Sequence, residues 1–193
     1  MIINDHKITT IPLSEESFFP YGEILEPKGK KLDNRDLLNS GFAKMSNNVP
    51  QERLDAFDVL DYWGDIANIS QEPMRLGFLK TKKRPLIVSW FERHIKGTQT
   101  FIPLAAKPSI FVVAKPNDLN KKDAKPNLSS ARAFYLDGNQ GVNIKPGTWH
   151  WTPFPVENIC NFIIIVRTNV KDDDLNFIDL EKKLNSKIII KNF

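Results

Sequence analysis

The feature that most constrains this chain is a succession of short apolar runs punctuated by Pro, Gly, Asn and Asp, from Phe42 almost to the end. Residues 74–80, 85–94, 99–104, 109–114, 131–136, 141–144 and 161–167 read as strands separated by turn chemistry. An earlier strand is expected at 8–13, followed by a helical turn at 14–18 with Ser14 as N-cap and Glu15 and Glu16 in its first turn. Pro20-Tyr21-Gly22 ends that turn, and 23–25 continue extended. Residues 53–60 fit either a strand or a turn of helix, and 116–127 read as a charged surface loop. Residues 172–184 predict a terminal helix and 188–190 a last strand. Many short strands at regular spacing favour a sandwich or closed barrel. The expectation is one mainly β, antiparallel barrel or jelly roll with a few short helices, over 1–193.

Composition narrows the function classes. A chain of 193 residues can bury a real core, and its net charge of +4 is mild. The basic runs 28–31 and 80–84 are short, which fits a solvated surface better than a nucleic-acid face, though a weak positive field favours an anionic small molecule. Cys160 is the one cysteine, so neither an internal disulfide nor a thiolate cluster is available; in its apolar strand it reads as a small buried hydrophobe. The first ten residues hold no apolar signal core, and no segment approaches the ~20 apolar residues of a membrane span. A cytoplasmic protein with no membrane partner is the expectation.

The residues that carry chemistry cluster in two places. On 85–94, strand alternation puts Trp90, Glu92 and His94 on one face and Phe91 and Arg93 on the other. Gln99 follows across a bend containing Gly97, and Pro146-Gly147 brings in His150 about fifty residues later. Glu92 and His94 could simply pair with outer residues on an exposed sheet face; the arrival of His150 favours a shared pocket. Arg93 reads as a structural salt bridge or contact, Trp149 and Trp151 point away from His150, Phe101 and Phe134 are core residues, and His6 lies in an exposed tail.

The spacing resembles that of cupins, which carry His-x-His, a Glu shortly after, and a distant His behind a Pro-x-Gly turn. Here the positions hold Glu92, His94, Gln99 and His150. Such mixed oxygen and nitrogen donors suit a divalent Ni, Mn, Fe or Zn ion; equally, Glu92 and His94 could act without metal as a proton-transfer pair.

Four segments further resemble the ureidoglycolate lyase family. Pro12-Leu13-Ser14 through Phe18, with Tyr21-Gly22-Glu23, is similar to its opening motif. Asn47-Asn48 with Arg53 is similar to its Asn-Asn-Gly-x-x-x-Arg segment, with Val49 in place of the glycine. Glu92-Arg93-His94, Gly97-Thr98-Gln99 and Phe101-Ile102-Pro103 form the strongest block. Arg132-Ala133-Phe134, Gly138, Gln140-Gly141-Val142-Asn143 and Trp149-His150 with Pro153 complete it, so the likeness covers roughly 10–168.

The resemblance implies a cupin-type barrel, a homodimer, and cleavage of ureidoglycolate to glyoxylate and urea at the end of allantoin breakdown. It also implies an association with nickel or another divalent ion. Within it, Glu92 or His94 would be the base and His150 the acid, with pKa values set apart by their surroundings. Gln99 and Asn143 would bond the urea group, and Arg53 or Lys80 would hold the carboxylate. Asn47 is a further binding candidate, although Asn-Asn is also a common turn former. The family commonly has Tyr at Ile144, His at Trp151 and Asp at Val166, and residues 61–72 look like extra sequence. These departures leave two alternatives beside the lyase: a metal-dependent cupin acting on another small organic acid, or a non-catalytic cupin that binds one.

Overall fold

A computed structural model of the protein describes residues 2–27, 73–121, 123–168 and 173–191. Asn47, Asn48, Arg53 and the segment 61–72 lie outside them. Nearly all the described residues belong to one compact unit, Met1–Leu25 with Ile69–Phe193; a second unit spans Glu26–Asn68.

The chain enters as β1 (Asn4–Pro12), α1 (Glu15–Phe18) and β2 (Gly22–Leu25). Ser14 caps α1 as expected, its hydroxyl accepting from the Ser17 N–H at 3.3 Å. Then come β3 (Met74–Lys82), β4 (Ile87–Val88), β5 (Trp90–His94), β6 (Gln99–Pro103) and β7 (Ser109–Ala114). Next are β8 (Arg132–Leu136), β9 (Gly141–Ile144), β10 (Trp149–His150), β11 (Phe154–Pro155) and β12 (Ile159–Arg167). The described chain ends with β13 (Leu175–Asp179), α2 (Leu180–Leu184) and β14 (Ser186–Lys191).

The strands form two sheets, and the protein is mainly β as the sequence predicts. The larger runs β13-β5-β10-β7-β8-β1-β14-β4, with β11 also paired to β7; the smaller runs β2-β9-β6-β12-β3. The antiparallel pattern holds except around β1, which lies parallel to both β8 and β14.

Two cores result because the central strands of the larger sheet are covered on both faces. All six residues of β7, Ser-Ile-Phe-Val-Val-Ala, are buried. Phe111 and Val113 join Phe101, Phe134, Val142 and Phe162 in a core fed by both sheets. Ile110, Val112 and Ala114 face the other way, into a core with Phe91, Trp149, Leu180 and Ile188. A strand buried on both sides reads as a continuous apolar run, which is what the sequence shows there. Each fully buried Phe contributes on the order of 1.5–3 kcal/mol. Cys160 is free and buried in the first core, the place its apolar strand predicts.

The C-terminal helix expected at 172–184 is a correction. Within it, Leu175–Asp179 is a strand, and the helix that follows is confined to Leu180–Leu184. Five register pairs, from Leu175 opposite His94 to Asp179 opposite Trp90, satisfy the otherwise open edge of β5. Long-range ladder bonds win over local propensity here. Asp179 then caps α2 by accepting from the Lys182 N–H at 3.0 Å, and Asn185 ends it in the left-handed region, φ 49°. Among the described residues, no helix is long and apolar enough to cross a membrane.

Candidate active site

β5 and β10 are hydrogen-bonded neighbours with His150 directly opposite Glu92. Paired residues share a face, and residues two apart on a strand share it too, so Glu92, His94 and His150 all turn the same way. That face is the inner one: the His150 ring lies 6.0 Å from the Phe101 ring and 6.1 Å from the Phe111 ring, centroid to centroid. Trp149 and Trp151 pack against the opposite core, and Arg93 is fully buried with its guanidinium 4.5 Å from the Trp149 ring. Arg93 donates from Nε to Asn176 Oδ1 (3.1 Å) and from its two Nη atoms to the carbonyls of Asn117, Asp118 and Lys121. It ties down a surface loop and does not face the hollow.

The turn that delivers His150 is built from its sequence. The Lys145 carbonyl accepts from the Thr148 N–H at 3.1 Å, with Pro146 and Gly147 between them. Gly147 has φ +82°, the geometry a type II turn asks of glycine at that position. Its N–H donates to the His94 carbonyl at 2.6 Å, so the same turn fixes both histidines.

The polar geometry within the hollow is tight. Glu92 Oε1 stands 3.3 Å from His150 Nε2; the Glu92 side chain is 16% exposed and that of His150 fully buried. His150 Nδ1 is 3.0 Å from the Thr148 carbonyl, an acceptor, so that nitrogen carries a proton. One ligand atom from each of Glu92, His94 and His150 lies within 4.8 Å of the others. His94 and His150 have ring centroids 5.7 Å apart. Burial alone would raise the Glu92 carboxyl, but the close approach and charge of His150, with the charge of His94, outweigh it and hold it below its ordinary value.

Behind His94 stands Asp174, a residue that the sequence pattern did not single out. Its Oδ2 is 3.5 Å from His94 Nδ1, and its Oδ1 accepts the Lys96 N–H at 2.6 Å. Burial would raise its carboxyl too, yet the facing His94 imidazole, the Lys96 N–H and the charge of Arg167 hold it low. The available signal was the open edge of β5, which had to be paired by something.

The remaining predicted residues divide. Gln99 lies opposite both Ile144 and Val166, on the inner face with Phe101, and its Oε1 is buried with no hydrogen-bond partner. Two of the three family departures, Ile144 and Val166, therefore flank Gln99, while Trp151 belongs to the other core. Asn143 is a correction: it pairs with Thr100, one residue out of phase with Gln99, so it faces away from the hollow and accepts from the Thr100 hydroxyl at 2.9 Å. Lys80 is a second correction. It is exposed and pairs with Asn161, whereas the inward residues of that ladder are Leu79, Phe162 and Pro103. Arg53 and Asn47 lie outside the described residues.

The donor set accommodates a divalent cation. A carboxylate and two imidazoles converge, and buried His150 Nε2 and Gln99 Oε1 have no hydrogen-bond partner. With the proton on His150 Nδ1, its Nε2 and the Glu92 oxygen are both acceptors at 3.3 Å, an arrangement that calls for a proton or a cation between them.

Fold and site together define a mainly β barrel enzyme class with a carboxylate and two histidines converging on its inner face. A family profile described as ureidoglycolate lyase matches residues 5–187, and the chain belongs to that family. Proteins named ureidoglycolate lyase from Escherichia coli O9:H4 (strain HS) and Shigella boydii serotype 18 are each 30% identical to it over 173 residues, 89% of this chain and 94% of theirs. A solved structure of RmlC from Streptococcus suis in complex with dTDP-D-xylose aligns with a TM-score of 0.36 and 7% identity, over 66% of this chain and 60% of that one.

Proposed function

We propose that the protein is a lyase that cleaves ureidoglycolate to glyoxylate and urea. The observation that carries this reading is the Glu92–His150 contact at 3.3 Å inside the hollow of a chain of this family. Ureidoglycolate carries a hydroxyl and a urea nitrogen on one carbon, beside a carboxylate. Elimination breaks that C–N bond, turns the C–OH into the aldehyde C=O of glyoxylate, and moves one proton from oxygen to the leaving nitrogen.

Glu92, kept ionised, accepts the hydroxyl proton. His150 acts in its imidazolium form, with the proton that lies between it and Glu92 on Nε2; it delivers that proton to the departing nitrogen and recovers one from Glu92 across their contact, so the pair ends as it began. His94 completes the polar wall, and Gln99 offers an unpartnered amide oxygen to a urea N–H. Arg53 and Asn47, by the family resemblance, are the candidates for the carboxylate and its surroundings.

A divalent ion of the Ni, Mn, Fe or Zn type would be held by Glu92, His94 and His150, with Gln99 as a further oxygen donor, and would supply Lewis acidity toward the substrate's oxygens. The family match over 5–187 supports reading the chain as one cupin-like domain. A homodimer is supported by the outer face of β3, an edge strand that exposes Leu76 at 72% and Phe78 at 63%. A cytoplasmic location is supported by the lone, free Cys160. The test is release of glyoxylate from racemic ureidoglycolate by the purified chain. Turnover that is lost in His150→Ala supports the assignment, and its absence under all metal conditions refutes it.

A further inference from the structure

His94 presents an unusual pairing on its rear side. Its Nδ1 and the Oδ2 of Asp174 face each other across 3.5 Å, both atoms are buried, and neither has a hydrogen bond in the structure. The other group near Oδ2 is Arg167 Nε at 3.7 Å. A buried imidazole nitrogen without a partner and a buried carboxylate oxygen without a donor are each costly; a proton on Nδ1 directed at Oδ2 satisfies both.

Asp174 is itself firmly placed. Its carbonyl accepts the Ile95 N–H at 3.1 Å and its Oδ1 accepts the Lys96 N–H at 2.6 Å, so it clamps the two residues that follow His94. Arg167 approaches from the far side, and Gly97 leaves the room for it: a Cβ on Gly97 would stand 3.3 Å from Arg167 Cβ.

We propose that Asp174 is a positioning residue that fixes His94 as the Nδ1–H tautomer, so that the nitrogen offered to the hollow is the lone-pair Nε2. The inference rests on the lyase reading for its consequence, since a lone pair there is what a substrate proton or a cation meets. For its geometry it rests on the contacts alone. It gives the C-terminal strand a part in the site: β13 begins at the next residue and carries Asp174 to β5.

The experiment is a long-range proton–nitrogen correlation spectrum of the full 15N-labelled chain, at a pH where the imidazoles are neutral. The chain has three histidines, so His6→Gln and His94→Gln variants assign the signals. The wild type should show His94 protonated at Nδ1 and bare at Nε2, and Asp174→Asn should shift that balance toward Nε2–H. In the same variant kcat for glyoxylate release should fall about 10–100-fold, with KM changed by less than about threefold. A wild-type His94 protonated at Nε2, or one tautomer in both proteins, overturns the proposal. The wild-type spectrum decides even if Asp174→Asn does not fold. Because the tautomer is read without turnover, a chain inactive on ureidoglycolate would refute the lyase reading and leave this one standing.

Discussion

Replacing Glu92 by glutamine keeps the shape of the hollow and removes one negative charge. The carboxylate lies 3.3 Å from His150 Nε2, a separation at which unit charges interact by about 5 kcal/mol at an effective dielectric of about 20. Glu92 is 16% exposed, and screening through that edge removes a good part of the sum, leaving between about 2 and 3 kcal/mol for holding His150 in the protonated form that acts as the acid. That corresponds to around a hundredfold in rate. Loss of the base adds to it, and a positioned proton-transfer group is worth roughly 10²–10⁴. The expected fall in kcat/KM for Glu92→Gln is therefore between about 10² and 10⁴. Stability at neutral pH should fall modestly, because the attraction of His150 and His94 that outweighs the carboxylate's desolvation is lost with its charge. Steady-state glyoxylate release, with a thermal melt as control, measures both. A folded Glu92→Gln enzyme within about threefold of wild-type kcat/KM would refute the reasoning, since no proton relay through that contact survives such a result.

Gly147→Ala should lower the melting temperature by about 2–8 °C, because φ +82° costs alanine on the order of 1–2 kcal/mol and its Cβ would lie 2.1 Å from Leu119 Cδ2; an unchanged melt would reject the turn geometry. Glu92 and Asp174 are both held below the model-peptide values of 4.5 and 3.8, so their stabilising contribution is present above those values and is lost as pH falls through the lower folded ones. Melts across the acid range should thus decline less steeply for Glu92→Gln and Asp174→Asn than for wild type, and parallel curves would contradict the depressed values. Addition of Ni, Mn, Fe or Zn ions to chelator-treated protein at about a hundredfold over Kd should add about 2.7 kcal/mol and raise the melt by about 5–10 °C. His150→Ala should abolish that rise, and the absence of a shift with every ion would remove the cation from the site.

Much of this arrangement is legible in the residues. The period-two alternation of 90–94 puts Glu92 and His94 on one face and Arg93 on the other, and the structure agrees. Ser14, Pro146 and Gly147 act through local backbone chemistry and sit where their residue types predict. The roles of Asn143 and Lys80 came from the resemblance alone, and the direction of each side chain depends on register: Asn143 pairs with Thr100, one residue out of phase with Gln99, and Lys80 pairs with Asn161 on the outer face of its ladder. Asp174 was not legible at all: its neighbours Leu175 and Ile178 have helix-compatible spacing, and the choice of strand belongs to the edge of β5.

The sequence by itself determined the things that depend on neighbours along the chain: strand periodicity, the turn that carries His150, the cap at Ser14 and the two-faced apolar run of β7. Tertiary structure alone decided which strands meet. Pairing β10 with β5 places Glu92 against His150, and pairing β13 with β5 brings Asp174 behind His94. The physical reason is that ladder hydrogen bonds are made between distant segments and are indifferent to side-chain identity, so register is set by the burial of both faces together and is invisible to any single run of residues.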